Sequence, residues 1–168
     1  EISWYSKAYD YWESEENCPV SDDGVLGGFG FLTEVDVRDS NQFLDSILAV
    51  RPNTLENVAD CGAGIGRVTK HFLLPRCVQV DLVEQSPRLL ESSRQYIGPD
   101  HIRTRHICLN LRDFIPPPNT YDMIWIQWVV GHLHDVDFIN FFKNCINGLK
   151  PNGVVVLKDN CCDDWTFV

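Results

Sequence analysis

Three glycines, at positions 62, 64 and 66, interrupt the stretch Val58-Ala59-Asp60-Cys61-Gly62-Ala63-Gly64-Ile65-Gly66-Arg67 where an apolar run gives way to a helical pattern. No other segment narrows the possible folds so far. Removing every second Cβ lets the backbone turn sharply, take positive φ and come close to a ligand, and the helix that follows offers free N–H groups. Three glycines also cost backbone entropy that a plain turn has no need of. The segment therefore reads as a buried strand, a turn and a helix, with a nucleotide-like ligand at the turn. A second apolar run, Val78-Gln79-Val80-Asp81-Leu82-Val83-Glu84, ends in an acid about 20 residues beyond Gly62, the spacing at which a carboxylate accepts from a ribose diol.

The punctuation of the remaining chain agrees. Strand-like runs lie at 57–61, 78–83, 104–108, 121–127 and 153–158, and helical patterns at 66–74, 87–97 and 137–149 separate most of them. Such alternation demands a mostly parallel α/β sheet with helices on both faces and ligands beyond the carboxyl ends of the strands. Pro116-Pro117-Pro118-Asn119 is a rigid loop into the fourth strand, and Lys150-Pro151-Asn152-Gly153 the turn into the fifth. Residues 1–55 carry two further helical patterns, at 3–16 and 40–50. The chain reads as one domain, a helical extension over 1–55 followed by a ligand-binding core over 56–160.

With 168 residues, 44% of them hydrophobic and 11% aromatic, that domain has enough apolar material for a sizeable core. The net charge of -10 argues against nucleic acid or an anionic membrane as partner and favours a cationic substrate. No apolar run approaches the roughly 20 residues of a membrane helix, and the first residues lack the layout of a signal peptide. Seven cysteines, at 18, 61, 77, 108, 145, 161 and 162, form no C-x-x-C pair and mostly sit in apolar segments. They read as small buried hydrophobes in a reducing compartment, with no metal site, and the neighbours Cys161 and Cys162 as a local accident.

Glycine spacing alone leaves the nucleotide open. Dinucleotide enzymes carry G-x-G-x-x-G, whereas here Asp60 leads G-x-G-x-G. The pattern is similar to motif I of the S-adenosylmethionine-dependent methyltransferases with a Rossmann-like sheet, whose loop holds the methionine and ribose end of the cofactor. A narrower resemblance covers the chain from about Tyr5 to Asn160. The string Tyr121-Asp122-Met123-Ile124-Trp125-Ile126-Gln127-Trp128-Val129-Val130-Gly131-His132-Leu133, together with Leu157-Lys158-Asp159-Asn160, Leu73-Leu74-Pro75 and Asp23-Gly24-Val25-Leu26-Gly27-Gly28-Phe29, resembles the protein N-terminal methyltransferases. Members of that family methylate the α-amino group of proteins that begin, after methionine removal, with Xaa-Pro-Lys, and the resemblance implies cytoplasm and nucleus as the place of work.

Read from the residues, Trp125, Gln127 and His132 stand at or beyond a strand end, where an amide and an imidazole serve no packing purpose, so they are expected to face the ligand crevice. The resemblance implies more. It makes His132 a catalytic base and Asn160 the residue that orients the amine. It puts Gly62, Gly64 and Arg67 at the methionyl end of the cofactor, Glu84, Gln85 and Ser86 at ribose and adenine, Asn110 and Leu111 along the adenine edge, and Gln127 beside the methionine part. Tyr11, Trp12, Leu26, Gly27 and Leu32 become a lid over the peptide, and Trp128 a flat face for the substrate proline.

Three departures accompany the resemblance. The family often has Asp where Glu84 stands and a small residue where Asn110 stands, changes that keep hydrogen-bonding capacity. The acid that shares the base's work falls at or beyond Val168, and Asp163 and Asp164 do not align with it. The sheet pattern stops after the fifth strand, without the usual closing helix and hairpin, so the chain reads as C-terminally truncated. Two alternatives stay open at this point: a small-molecule methyltransferase, and a catalytically silent piece that binds cofactor or peptide.

Overall fold

A computed structural model describes residues 2–160. Five strands, β1 (Asn57–Cys61), β2 (Gln79–Glu84), β3 (Thr104–Cys108), β4 (Tyr121–Gln127) and β5 (Leu149–Lys158), lie in the order β3-β2-β1-β4-β5, every neighbouring pair parallel. The chain winds outward from β1 to β3, then returns to β4 and winds the other way. Between β1 and β4 the connections diverge, and the crevice opens beyond their carboxyl ends.

Side chains alternate across the sheet as the two-residue strand period requires. Val58, Val80, Leu82, Met123 and Trp125 face one layer, with Leu44 of α3 (Thr33–Val50) and Leu90 and Ile97 of α4 (Pro87–Ile97). Ala59, Cys61, Val83, Ile124 and Ile126 face the other, with Phe141 and Cys145 of α5 (Asp135–Gly148). Each large side chain so buried contributes about 1.5–3 kcal/mol. α1 (Ile2–Glu13) and the short α2 (Asp22–Val25) cover the crevice end.

The strands at 57–61, 104–108 and 121–127 stand where the hydrophobic pattern put them, and four other segments differ. Lys150-Pro151-Asn152-Gly153 is not a turn ahead of β5. Leu149 already pairs with Tyr121, and the segment forms a bulge, with Asn152 at φ 68°. The helix over 66–74 contains a π turn over Thr69–Leu73, in which the Leu74 N–H reaches the Thr69 carbonyl. That wider turn buries Phe72, Leu73 and Leu74 in succession. α1 stops at Glu13, short of 16. α3 starts at Thr33, seven residues before the apolar pattern, because its first inward residue is a charged one, Asp36, in line with Ser40 and Leu44.

Candidate active site

The glycine turn after β1 takes the left-handed conformations that glycine alone adopts freely, with φ of 76° at Gly62, 55° at Gly64 and 80° at Gly66. A Cβ on Gly62 would meet the Val129 side chain at 2.7 Å, so the loops after β1 and β4 touch only because that position is bare. Gly66 serves a different end, since a Cβ there would strike Ile97 and Leu82 at 2.9 and 3.2 Å. It seats the helix on the sheet.

Beside the turn, Glu84 ends β2 nearly buried. One carboxylate oxygen accepts the Gly64 N–H at 2.9 Å and the other the Ser86 N–H at 2.8 Å. Burial pushes its carboxyl up, and the amides of Ser86, Gly64 and Gln85 offset part of the rise. Asn110 donates to Gln85 Oε1 at 2.8 Å, joining the loops after β2 and β3. Leu111 is buried among the residues of the α5 layer.

Beyond β4 the chain turns through Trp128, itself left-handed at φ 55°. Its ring has the Arg67 guanidinium 5.4 Å and the Lys158 ammonium 5.8 Å from its centroid. His132 follows in a single helical turn. Trp12 directs its indole N–H at His132 Nε2 from 3.4 Å, and Trp4 donates to the His132 carbonyl at 2.9 Å. Burial lowers the His132 pKa below its usual 6.5, and the Asp159 charge opposes the drop. A ring nitrogen that accepts from an indole must be unprotonated, in keeping with that direction.

One cavity collects these groups. Gly62, Gly64, Arg67, Glu84, Gln85, Asn110, Leu111 and Gln127 line it, and so do Trp12, Leu26, Trp128 and His132. Six residues expected at the site or its crevice stand outside its wall. Ser86 is fully buried and accepts the Leu89 N–H as the N-cap of α4, while its hydroxyl donates to Glu13 at 2.5 Å. Tyr11, Gly27, Leu32 and Asn160 are exposed and do not line the cavity. Trp125, expected at the crevice, is instead core: it packs 4.7 Å from Phe72, and its N–H is satisfied by Gln127 Oε1 at 2.9 Å. Cys161, Cys162, Asp163 and Asp164 lie outside the described residues.

Among the residues missed by sequence reading are Val129, which fills the space over Gly62, and above all Asp36. Its side chain is 5% exposed, and it accepts from Arg67 Nη2 at 2.8 Å, from Gln127 Nε2 at 2.9 Å on each oxygen, and from Lys158. The signal was Asp36, Ser40 and Leu44 at four-residue spacing, one helical face with an acid at its start.

A sulfonium cofactor with an amino-acid tail fits this wall on one observation in particular. Arg67 Nη1 is buried and has no hydrogen-bond partner among the described residues, which suits a carboxylate accepting from it. The fold and the cavity define a class, the Rossmann-like S-adenosylmethionine-dependent methyltransferases. Solved structures agree: a SAM-dependent methyltransferase of Leishmania major superposes with a TM-score of 0.85 at 38% identity, over 95% of this chain and 62% of that one. Phosphoethanolamine N-methyltransferase 1 of Haemonchus contortus, at 18% identity and TM-score 0.70 over 96% of this chain and 33% of that one, shares the fold.

Within that class the chain belongs to the AdoMet-dependent proline di-methyltransferase family, whose model matches residues 1–166. N-terminal Xaa-Pro-Lys N-methyltransferase 1 of Xenopus tropicalis is 43% identical over 172 residues, and that of Homo sapiens 42% over 171. Each alignment takes in the whole of this chain and 75% of the relative.

Proposed function

We propose that this protein transfers a methyl group from S-adenosylmethionine to the α-amino group of proteins beginning Xaa-Pro-Lys, with S-adenosylhomocysteine as product. The observation that carries the reading is the shared cavity: the glycine turn, Glu84 and Arg67 form one side, and Trp12, Trp128 and His132 the other. Relatives at 42–43% identity are named for this activity. The cofactor supplies the electrophilic methyl group on its sulfonium.

The chain supplies the rest. Beyond its backbone amides, the Glu84 carboxylate keeps acceptor capacity for a ribose diol. Gln85, Asn110 and Leu111 would border the adenine, and Arg67 Nη1 with the Gly62 and Gly64 turn would hold the carboxylate end. An α-ammonium with a pKa of about 7.7–8.0 is mostly protonated at pH 7 and has no lone pair for attack. His132 titrates below 6.5, is neutral at that pH, and can take the proton. Among the described residues its Nε2 is engaged by the long Trp12 contact alone, which an incoming amine can displace. Trp128, Trp12 and Leu26 offer apolar faces to the proline ring.

Tyr11, Gly27 and Leu32 as lid, Asn160 as the residue orienting the amine, and residues 1–55 as a substrate-covering extension rest on the family resemblance alone. The charge of -10 suits a substrate with lysine in third place and disfavours nucleic acid and anionic membranes. Cys18, Cys61, Cys77 and Cys145, buried and unpaired, suit the reducing cytoplasm and nucleus.

The test is a peptide beginning Ser-Pro-Lys, incubated with the protein and S-adenosylmethionine and followed by mass spectrometry. Mass should rise in methyl steps on the free peptide and stay constant on its N-acetylated form, which calorimetry should also find to bind weakly. Methylation of the acetylated peptide, or equal binding of both, overturns the α-amino reading.

A further inference from the structure

Around Asp36 several donors converge. Its carboxylate takes Arg67 Nη2, Gln127 Nε2 and Lys158 Nζ, and the same ammonium donates to Ser40 Oγ at 2.9 Å and to the Asp36 carbonyl at 3.2 Å. Two cations thus converge on one carboxylate, with Arg67 and Asp36 side chains each 5% exposed. Asp22 and Asp60 also lie within the field of the Arg67 charge, yet among the described residues one buried donor of its guanidinium meets no acceptor, a costly state unless a further anion completes it. The atom left over to meet that anion is Arg67 Nη1.

Geometry explains why Nη1 is the donor without a partner among the described residues. A guanidinium is planar and its donors point in fixed directions, so anchoring Nη2 on Asp36 sets the plane of the whole group. Gln127 is held in the same way: its Nε2 is spent on both Asp36 oxygens and its Oε1 on the Trp125 indole. Burial pushes the Asp36 carboxyl up, but hydrogen bonds from Lys158 and Gln127 and the Arg67 charge outweigh it, leaving the group titrating below its ordinary value. The acid is therefore ionised at neutral pH. Arg67 and Lys158 are also the two cations beside the Trp128 ring, so one carboxylate on α3 joins the two sides of the cavity.

We propose that Asp36 is a positioning residue for cofactor capture: it locks the Arg67 guanidinium and the Gln127 amide so that Arg67 Nη1 faces the amino-acid carboxylate of the cofactor. The inference rests on reading Arg67 as the partner of that carboxylate. It has a selective consequence. A ligand with the amino-acid tail should depend on Asp36, and one without the tail should not.

Calorimetry with S-adenosylhomocysteine and with 5′-methylthioadenosine, which lacks the tail, reads this directly. Asp36→Asn should weaken S-adenosylhomocysteine about 10- to 100-fold, as expected for disturbing a hydrogen bond between charged groups, and leave methylthioadenosine within about twofold. Asp36→Glu keeps the charge but displaces it by a methylene and should show the same selectivity to a smaller degree; it carries the test if Asp36→Asn does not fold. Equal loss on both ligands makes Asp36 a residue of general stability and overturns the proposal, as does no loss on either. Arg67→Gln separates the underlying reading. If it too fails to discriminate between the ligands, Arg67 does not meet the tail; if it discriminates and the Asp36 variants do not, only the role of Asp36 falls.

Discussion

On the proposed cofactor side of the cavity the glycine turn and Glu84 are held by main chain, whereas the proposed peptide side is held by single side chains. Gly62 and Ala63 both donate to the Val83 carbonyl, at 2.8 and 3.1 Å, and Glu84 is clasped by two backbone amides. These bonds join strand ends that the sheet already fixes. Across the cavity, α1 meets the loop after β4 through Trp4 and Trp12 on His132, and through Tyr5, whose hydroxyl donates to Asp137 at 2.5 Å and accepts the His134 N–H at 3.0 Å. The Arg112 guanidinium lies 3.8 Å from the centroid of the Tyr5 ring. A wall built into the sheet is formed as soon as the sheet is; a wall of separate bridges can loosen without unfolding the rest. Substitutions on the two sides should therefore separate cofactor binding from peptide turnover.

The largest expected separation is at His132. His132→Ala should lower kcat on a Ser-Pro-Lys peptide by about 10²- to 10⁴-fold, the usual worth of a positioned base. Affinity for S-adenosylhomocysteine by calorimetry should stay near that of the unaltered protein, and raising the pH should restore part of the rate because solvent then deprotonates the amine. A variant retaining most of its kcat at neutral pH would reduce His132 to a structural residue and erase the chemical contrast between the walls.

The next effect lies under the cofactor side. Asp60 is buried, and burial pushes its carboxyl up to about 6, although the Thr69 hydroxyl and the Arg67 charge pull against the rise. A native pKa above the unfolded one favours the protonated fold. The contribution is fully present below the unfolded value of about 3.9 and is lost as pH rises through about 6. Asp60→Asn keeps an acceptor for Thr69 and removes the titration. In urea unfolding, its stability relative to the unaltered protein should improve by about 2 kcal/mol between pH 4 and pH 7. A constant difference across that range would mean that Asp60 keeps an ordinary pKa and that ionising it costs the wall nothing.

Legibility followed the same division. Features written in the local chain were readable: the glycine turn, the strand-end acid Glu84 and the β1 and β4 bounds all follow from backbone freedom and two-residue alternation. Whatever depended on distant partners was not. Trp125 reads as a crevice residue because a strand end says nothing of Phe72 packing against it, and the N-cap of α4 that Ser86 forms is not visible in the resemblance that put it at the cofactor. Asp36 was invisible for a plainer reason. A polar first turn looks solvated until three donors from β4, β5 and the helix after β1 are seen to converge on it.

The smallest predicted effect tests the peptide side by its anchor. Arg88, in the first turn of α4, donates to the carbonyls of Trp12, Glu13, Ser14 and Cys18 at 2.9, 2.8, 3.3 and 2.8 Å, and so caps the C-terminal end of α1 with a cation. Exposed carbonyls and the helix dipole both favour a positive donor at that place. Arg88→Met keeps most of the apolar stem and removes every donor. Trp12, the last turn of α1, should then lose its fixed approach to His132, and KM for the peptide should rise about tenfold, worth about 1.4 kcal/mol. S-adenosylhomocysteine affinity should change by less than about twofold, because Glu84 and the glycine turn take nothing from Arg88. If cofactor affinity fell as far as peptide affinity, the two walls would be one cooperative unit, and α1 would belong to the cofactor site as much as to the peptide's.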